Sequence, residues 1–184
     1  MLLKWLGERR ETASEIVRRA AGVSVPVDLA AAERELDRGY KWLIFTGSFL
    51  RSLRPKAVEK ITAHELPLDT RRVSRASTFR EFDNFFTAPV HGFKDAEDYW
   101  TRASSKPWLK EIRVPTLLVN ALNDPFLPAD ALPGPDEVSS AVTLDYPAAG
   151  GHVGFVSGRF PGNSNWLWQR VIRFFAGQDG SEPG

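Results

Sequence analysis

Two apolar runs, Ala20-Ala21-Gly22-Val23-Ser24-Val25 and Leu117-Leu118-Val119 within the segment 114–121, constrain the fold of this chain more than any other feature. Neither alternates polar with apolar residues. A strand that is apolar on both faces must be covered on both, which is the situation of a strand in a parallel sheet flanked by helices. Pro26 stops the first run, and Asp28 then caps a helix expected over Leu29 to Leu36, ending near Gly39. A third strand is read at Val142 to Tyr146. A closing amphipathic helix is read at Trp166 to Phe175, with Leu167, Val171, Phe174 and Phe175 on one face. At the start, Leu2, Leu3 and Leu6 beside Trp5 have the spacing of an apolar helix that begins without a capping residue.

From Tyr40 to about Ile112 the pattern changes to helical pieces, expected to be broken by Pro55, Pro67, Pro89 and Pro107 and rich in aromatics from Phe79 to Trp100. The expected fold class is α/β: about three parallel strands with flanking helices and a helical insertion at about 40–112, within one domain that takes in 1–184. So small a parallel sheet leaves an apolar strand at an edge. The strand at 20–25 is therefore expected to lack an upstream neighbour and to favour self-association through that edge. The polar tail from Gly177 to Gly184 is expected to fray.

Composition removes several function classes. Twenty-four basic residues against twenty-three acidic leave a net charge of +1, so no field exists that would gather nucleic acid or an anionic membrane. With no cysteine there are neither disulfides nor thiolate metal sites, which fits a reducing compartment. The first ten residues carry too short an apolar run for a signal peptide, and no segment approaches the roughly 20 apolar residues of a membrane helix. A cytoplasmic protein without stable membrane insertion is the expectation. His64, His91 and His152 lack the i, i+4 spacing that grips zinc, and no cofactor is implied. His91 reads either as a substrate contact from the inserted region or as a packed histidine in a Pro/Gly turn and stays outside the catalytic set, and Arg71-Arg72-Val73-Ser74 reads as an ordinary solvated surface.

The chemistry is carried by two loops. Leu117-Leu118-Val119-Asn120-Ala121-Leu122-Asn123-Asp124-Pro125-Phe126 runs from a buried strand into a loop with a carboxylate, and Gly150-Gly151-His152-Val153-Gly154-Phe155 presents an imidazole before the last helix. Both fall beyond the carboxyl ends of strands, where α/β sheets place their reacting groups. A base that takes a proton from a hydroxyl needs a buried acid on its far nitrogen to fix the tautomer and stabilise the imidazolium. His152 is the candidate base and Asp124 the candidate orienting acid. Gly150, Gly151 and Gly154 are expected to supply backbone angles barred to other residues. The plain structural alternative makes Asp124 a turn residue before Pro125, and His152 a loop histidine satisfied by a carbonyl. The order Asp then His matches the last two members of a Ser-Asp-His triad, yet no Gly-x-Ser-x-Gly occurs in the 184 residues. Ser24 follows a strand and precedes a helix, but Pro26 stands two residues on, where a nucleophile elbow needs a small residue.

Taken together, Phe82-Asp83, Thr87-Ala88-Pro89-Val90-His91-Gly92-Phe93, Asp98-Tyr99, Ala103-Ser104-Ser105, Pro115-Thr116-Leu117, Asn123-Asp124-Pro125-Phe126 and Gly150-Gly151-His152-Val153-Gly154-Phe155 closely resemble the YheT-like branch of the α/β-hydrolases. The resemblance runs from Leu2-Leu3-Lys4-Trp5-Leu6-Gly7 to Trp166. It implies a partial α/β-hydrolase fold, the C-terminal half only, with the helical insertion as a cap whose aromatics line an acyl pocket or form the insert's own core. It also implies carboxylic-ester hydrolysis on a small-molecule or lipid ester, with a serine a few residues ahead of Met1. The chain alone is then expected to be inactive, carrying Asp124 and His152 without the nucleophile. A non-catalytic remnant that binds a partner is the alternative, and a two-piece enzyme completed by a separate N-terminal half is a third.

Overall fold

The computed structural model describes residues 1–159 and 162–178; the polar tail expected to fray lies mostly outside them. The chain divides into two compact units, one formed by Met1–Val27 with Ser105–Gly184 and the other by Asp28–Ser104. The sequence pattern places the insertion at about 40–112, so the observed helical unit begins and ends earlier in the chain than expected.

In the first unit, strands β1 (Ala20–Val23), β2 (Thr116–Val119) and β3 (Val142–Asp145) form a parallel sheet in the order β1-β2-β3. Ala20 lies opposite Thr116 and Val23 opposite Val119, while Thr116 lies opposite Val142 and Val119 opposite Asp145. The side chains of β2 divide between two cores, as the two-sided burial read in the sequence requires. Leu118 joins Leu3, Leu6, Ala20 and Val142 in a core against helix α1 (Leu2–Arg9). Leu117 and Val119 point the other way, into a core with Phe155, Leu167 and Phe174. These last two residues belong to the closing helix, Asn165–Phe175. Leu117, Leu118 and Val119 are each 1% exposed or less, and burial of each contributes about 1.5–3 kcal/mol. Gly7 of α1 is required for space: a Cβ there would lie 2.4 Å from the Trp108 carbonyl oxygen. β1 and β3 are the edges of the described sheet.

The second unit is helical throughout. Helices α2 (Leu29–Leu36), α3 (Gly47–Ala63), α4 (Thr70–Arg75) and α5 (Ala96–Ala103) are joined by shorter turns, including π-type turns at Trp42–Thr46 and Asp83–Thr87. The closing helix Asn165–Phe175 of the first unit is therefore α6. Asp28 caps α2 as expected, its Oδ1 accepting from the Ala31 N–H at 2.9 Å. Asp69, Thr78 and Asp95 cap the later helical segments in the same way.

Of the four expected proline breaks, Pro55 is not one: α3 runs through it without interruption. Its missing N–H costs the helix about 3 kcal/mol. Leu50, Ala57 and Ile61, buried on the opposite face with Val73, Ala76 and Phe82, offset that cost, while Pro55 itself stays at the surface. Pro89 likewise does not end its helical stretch, which runs unbroken from Phe79 through the π-type turn Asp83–Thr87 to Val90. The aromatics Phe79, Phe82, Phe85 and Phe86 pack into this unit's own core.

Candidate active site

Parallel pairing brings the ends of β2 and β3 level, so the loops that leave them emerge side by side. β2 hands over to Asn120 and Ala121, both buried, and the chain then turns sharply. Asp124 N–H closes that turn on the Ala121 carbonyl at 3.2 Å. Asp124 Oδ1 accepts from the Phe126 N–H at 2.8 Å, the local bond by which an aspartate stabilises a turn before proline. Its other oxygen is aimed elsewhere.

That oxygen, Oδ2, lies 2.9 Å from Nδ1 of His152, with Oδ1 at 3.3 Å from the same nitrogen. The Asp124 side chain is 1% exposed and that of His152 35%. A carboxylate is an acceptor only, so the bond assigns the ring proton to Nδ1 and leaves Nε2 as the unprotonated nitrogen of the neutral ring. Phe126 sets its ring edge against the imidazole, 4.2 Å between centroids at 75°. Asp124 thus performs the turn function and meets the histidine at once, Oδ1 taking the Phe126 N–H and Oδ2 standing nearer to the ring. His152 is not the backbone-satisfied loop histidine of the plain alternative.

The glycines of the histidine loop differ from expectation. Gly151 alone of the three has a positive φ, +60°. Gly150 is needed for room: a Cβ there would stand 2.6 Å from the Phe155 ring and 2.9 Å from Ala121 Cβ. Gly154 has no such angle, and the left-handed conformation at this end of the loop falls on Phe155, φ +43°. The Phe155 N–H closes the loop on the Gly150 carbonyl at 2.8 Å, and its buried ring stacks on Trp166, which explains why a large residue accepts that backbone.

Two further residues reach the loop. Asn123 Oδ1 accepts from the N–H groups of both Gly150 and Gly151, each at 2.9 Å. Ser24, one residue past β1, donates its hydroxyl to the backbone carbonyl of His152, not to the ring. Ser24 is buried and has φ +51°. In the sequence Asn123 stands out only as part of a motif, and Ser24 only as a candidate nucleophile. The signal for Asn123 is a short amide side chain beside the acid. For Ser24 no local signal exists, since its partner is 128 residues away.

His64 and His91 lie elsewhere, exposed at the C-terminal caps of α3 and of the turn Ala88–Val90. Among the described residues no helix is long and apolar enough to cross a membrane. Tyr146, just past β3, has its phenol pushed up in pKa, first by burial and then by the negative charge of Glu137, and donates to the Pro133 carbonyl at 3.0 Å. It takes no part in the Asp-His pair.

Comparison with known proteins supplies the context. The chain is 32% identical over 151 residues to the Escherichia coli (strain K12) protein named "Putative esterase YheT", covering 81% of this chain and 44% of that one. It is 31% identical over 157 residues to human phospholipase ABHD3, covering 85% and 38% respectively. Against the monoacylglycerol lipase of Saccharomyces cerevisiae it is 34% identical over 105 residues, 56% of this chain and 23% of the lipase. The chain spans less than half the length of these curated relatives. No family model and no solved structure matches it.

Proposed function

We propose that this chain, a YheT-like α/β-hydrolase by its sequence relationships, supplies the acid and base of an ester-hydrolysing Ser-Asp-His triad. The observation that carries the reading is the buried Asp124 carboxylate held 2.9 Å from His152 Nδ1 at the ends of two parallel strands. The chemistry follows from that geometry. A serine hydroxyl beside Nε2 loses its proton to the ring as its oxygen attacks the ester carbonyl. The imidazolium formed is stabilised by Asp124 and returns the proton to the departing alcohol. Water then repeats the sequence on the acyl-enzyme and frees the acid. The family resemblance assigns the serine to a segment preceding Met1. The substrate class is a small-molecule or lipid ester, in keeping with relatives named as esterase, phospholipase and lipase.

Residues 28–104, which connect β1 to β2, are assigned as the cap insertion that the resemblance implies. The edge of β1 that has no strand neighbour among the described residues is assigned as a self-association edge, to be checked by the concentration dependence of size-exclusion mass.

The function is tested by joining the chain to its in-frame upstream coding sequence and measuring hydrolysis of a short activated ester. Turnover lost in His152→Ala, with fluorophosphonate labelling of one upstream serine, is the expected result. The chain by itself should hydrolyse the ester no faster than its own His152→Ala variant, because loss of the nucleophile from such a triad costs on the order of 10⁶ in turnover. Labelling of Ser24, or turnover by the isolated chain well above that control, overturns the proposal.

A further inference from the structure

The imidazole is useful only in one orientation, yet it stands on a loop with a glycine pair at its base. Within the loop, the Phe155 N–H bonds the Gly150 carbonyl, so the loop closes on itself. That bond shapes the loop without fixing where it sits relative to Asp124. Two side chains from other strand ends do so. Asn123 accepts from two successive N–H groups immediately before His152, and it precedes Asp124 by one residue. The oxygen that holds the histidine loop and the carboxylate that receives the histidine ring are therefore carried on the same turn. From the end of β1, Ser24 reaches the carbonyl of His152 itself.

Ser24 carries a second mark. Its φ of +51° is a region that serine rarely occupies and that persists only where the surroundings impose it. Its N–H continues the sheet by donating to the Val119 carbonyl at 2.8 Å. Strand pairing thus holds the backbone while the hydroxyl serves the histidine loop. The burial of Ser24 leaves little water to replace that donor.

We propose that Ser24 and Asn123 are positioning residues that fix the His152 loop on Asp124, Ser24 through the His152 carbonyl and Asn123 through the N–H groups of Gly150 and Gly151. For its catalytic consequence the proposal rests on the acid-base reading of Asp124 and His152; its geometric content does not. The tautomer of the imidazole reports the outcome, because the bond to Asp124 selects the Nδ1–H form.

The experiment records ¹H–¹⁵N long-range correlation spectra of His152 in the purified chain at alkaline pH, with the ring neutral, together with amide exchange of Gly150 and Gly151. In the unaltered chain the Nδ1–H tautomer should dominate, and both glycine amides should exchange several-fold more slowly than in an open loop, roughly three- to tenfold. Asn123→Ala should remove the exchange protection and shift the ring toward the Nε2–H form, whereas Asn123→Asp, which keeps an acceptor oxygen, should retain both. Ser24→Gly tolerates the positive φ but lacks the hydroxyl, so it should also shift the tautomer; Ser24→Ala should do the same. If an alanine variant fails to fold, Asn123→Asp, Ser24→Gly and the exchange rates of the unaltered chain decide. An unchanged Nδ1–H tautomer in both Asn123→Ala and Ser24→Gly overturns the proposal and leaves the Asp-His pair standing. An Nε2–H tautomer in the unaltered chain overturns the pair itself.

Discussion

Buried acids occur in both units, and they are treated differently. Asp124 in the sheet unit receives two donors of different origin, the Phe126 N–H and His152 Nδ1. Glu33 on α2 is nearly as buried, yet it lies beside a second acid, Asp37, with its nearest cation, Arg80 Nη2, 3.8 Å away. Burial raises the Glu33 pKa to about 7, with Asp37 adding to the rise and Arg80 opposing it; Asp37 is raised too, again mainly by burial. A buried carboxylate says little by its burial alone. The groups that face it decide whether it orients a neighbour or holds a proton. Asp83, half-buried and given the Trp100 indole N–H at 2.8 Å, is an intermediate case: burial raises its pKa while a bond from Thr87 and that from Trp100 lower it.

The contrast can be broken most sharply at Asp124. In the upstream-extended form that the proposed function calls for, Asp124→Asn should lower kcat by about 10⁴ through loss of the Nδ1–H tautomer, while Glu33→Gln leaves kcat within about twofold. Steady-state kinetics on both variants checks this, and a comparable loss from Glu33→Gln would erase the distinction.

A smaller effect separates the two cores. Leu50→Ala empties a fully buried site in the helical unit and should lower stability by about 2–5 kcal/mol in denaturant unfolding. Short of global unfolding, the His152 tautomer should be unaffected, since Leu50 belongs to a separate core from that of Leu117 and Phe155.

Smaller again is the pH response of Glu33. Its folded pKa lies above the ordinary value of 4.5, so the folded chain binds the proton more tightly than the unfolded one. Stability is then greatest below about pH 4.5 as far as this group is concerned, and declines as pH rises toward 7. Glu33→Gln should flatten that decline, by on the order of 1–3 kcal/mol between pH 5 and 8, as seen in melting temperatures across the range. A decline that persists unchanged in Glu33→Gln refutes the assignment. The smallest effect is at the α2 cap, where Asp28→Ala should cost about 1 kcal/mol by the same unfolding measurement.

The sequence on its own determined the α/β class, the three strands to within two residues at every end, the Asp28 cap, the opening and closing helices and the candidacy of Asp124 and His152. Those features rest on local signals: unbroken apolar runs, a capping side chain, helical spacing, a polar loop after a buried strand. Pro55 misleads because a local breaker is outweighed by packing on the far face of α3. Gly150 misleads because its role is room for the Phe155 ring, folded back within the same loop, and for Ala121 beyond the end of β2, far off along the chain. Only the tertiary structure decided that Asn123 and Ser24 hold the histidine loop, that Asp124 serves the turn and the ring at once, and that Glu33 faces another acid. Each of these depends on which segments the sheet and the helix packing bring together, and a hydrogen bond spanning 28 or 128 residues leaves no periodic trace in the chain that makes it.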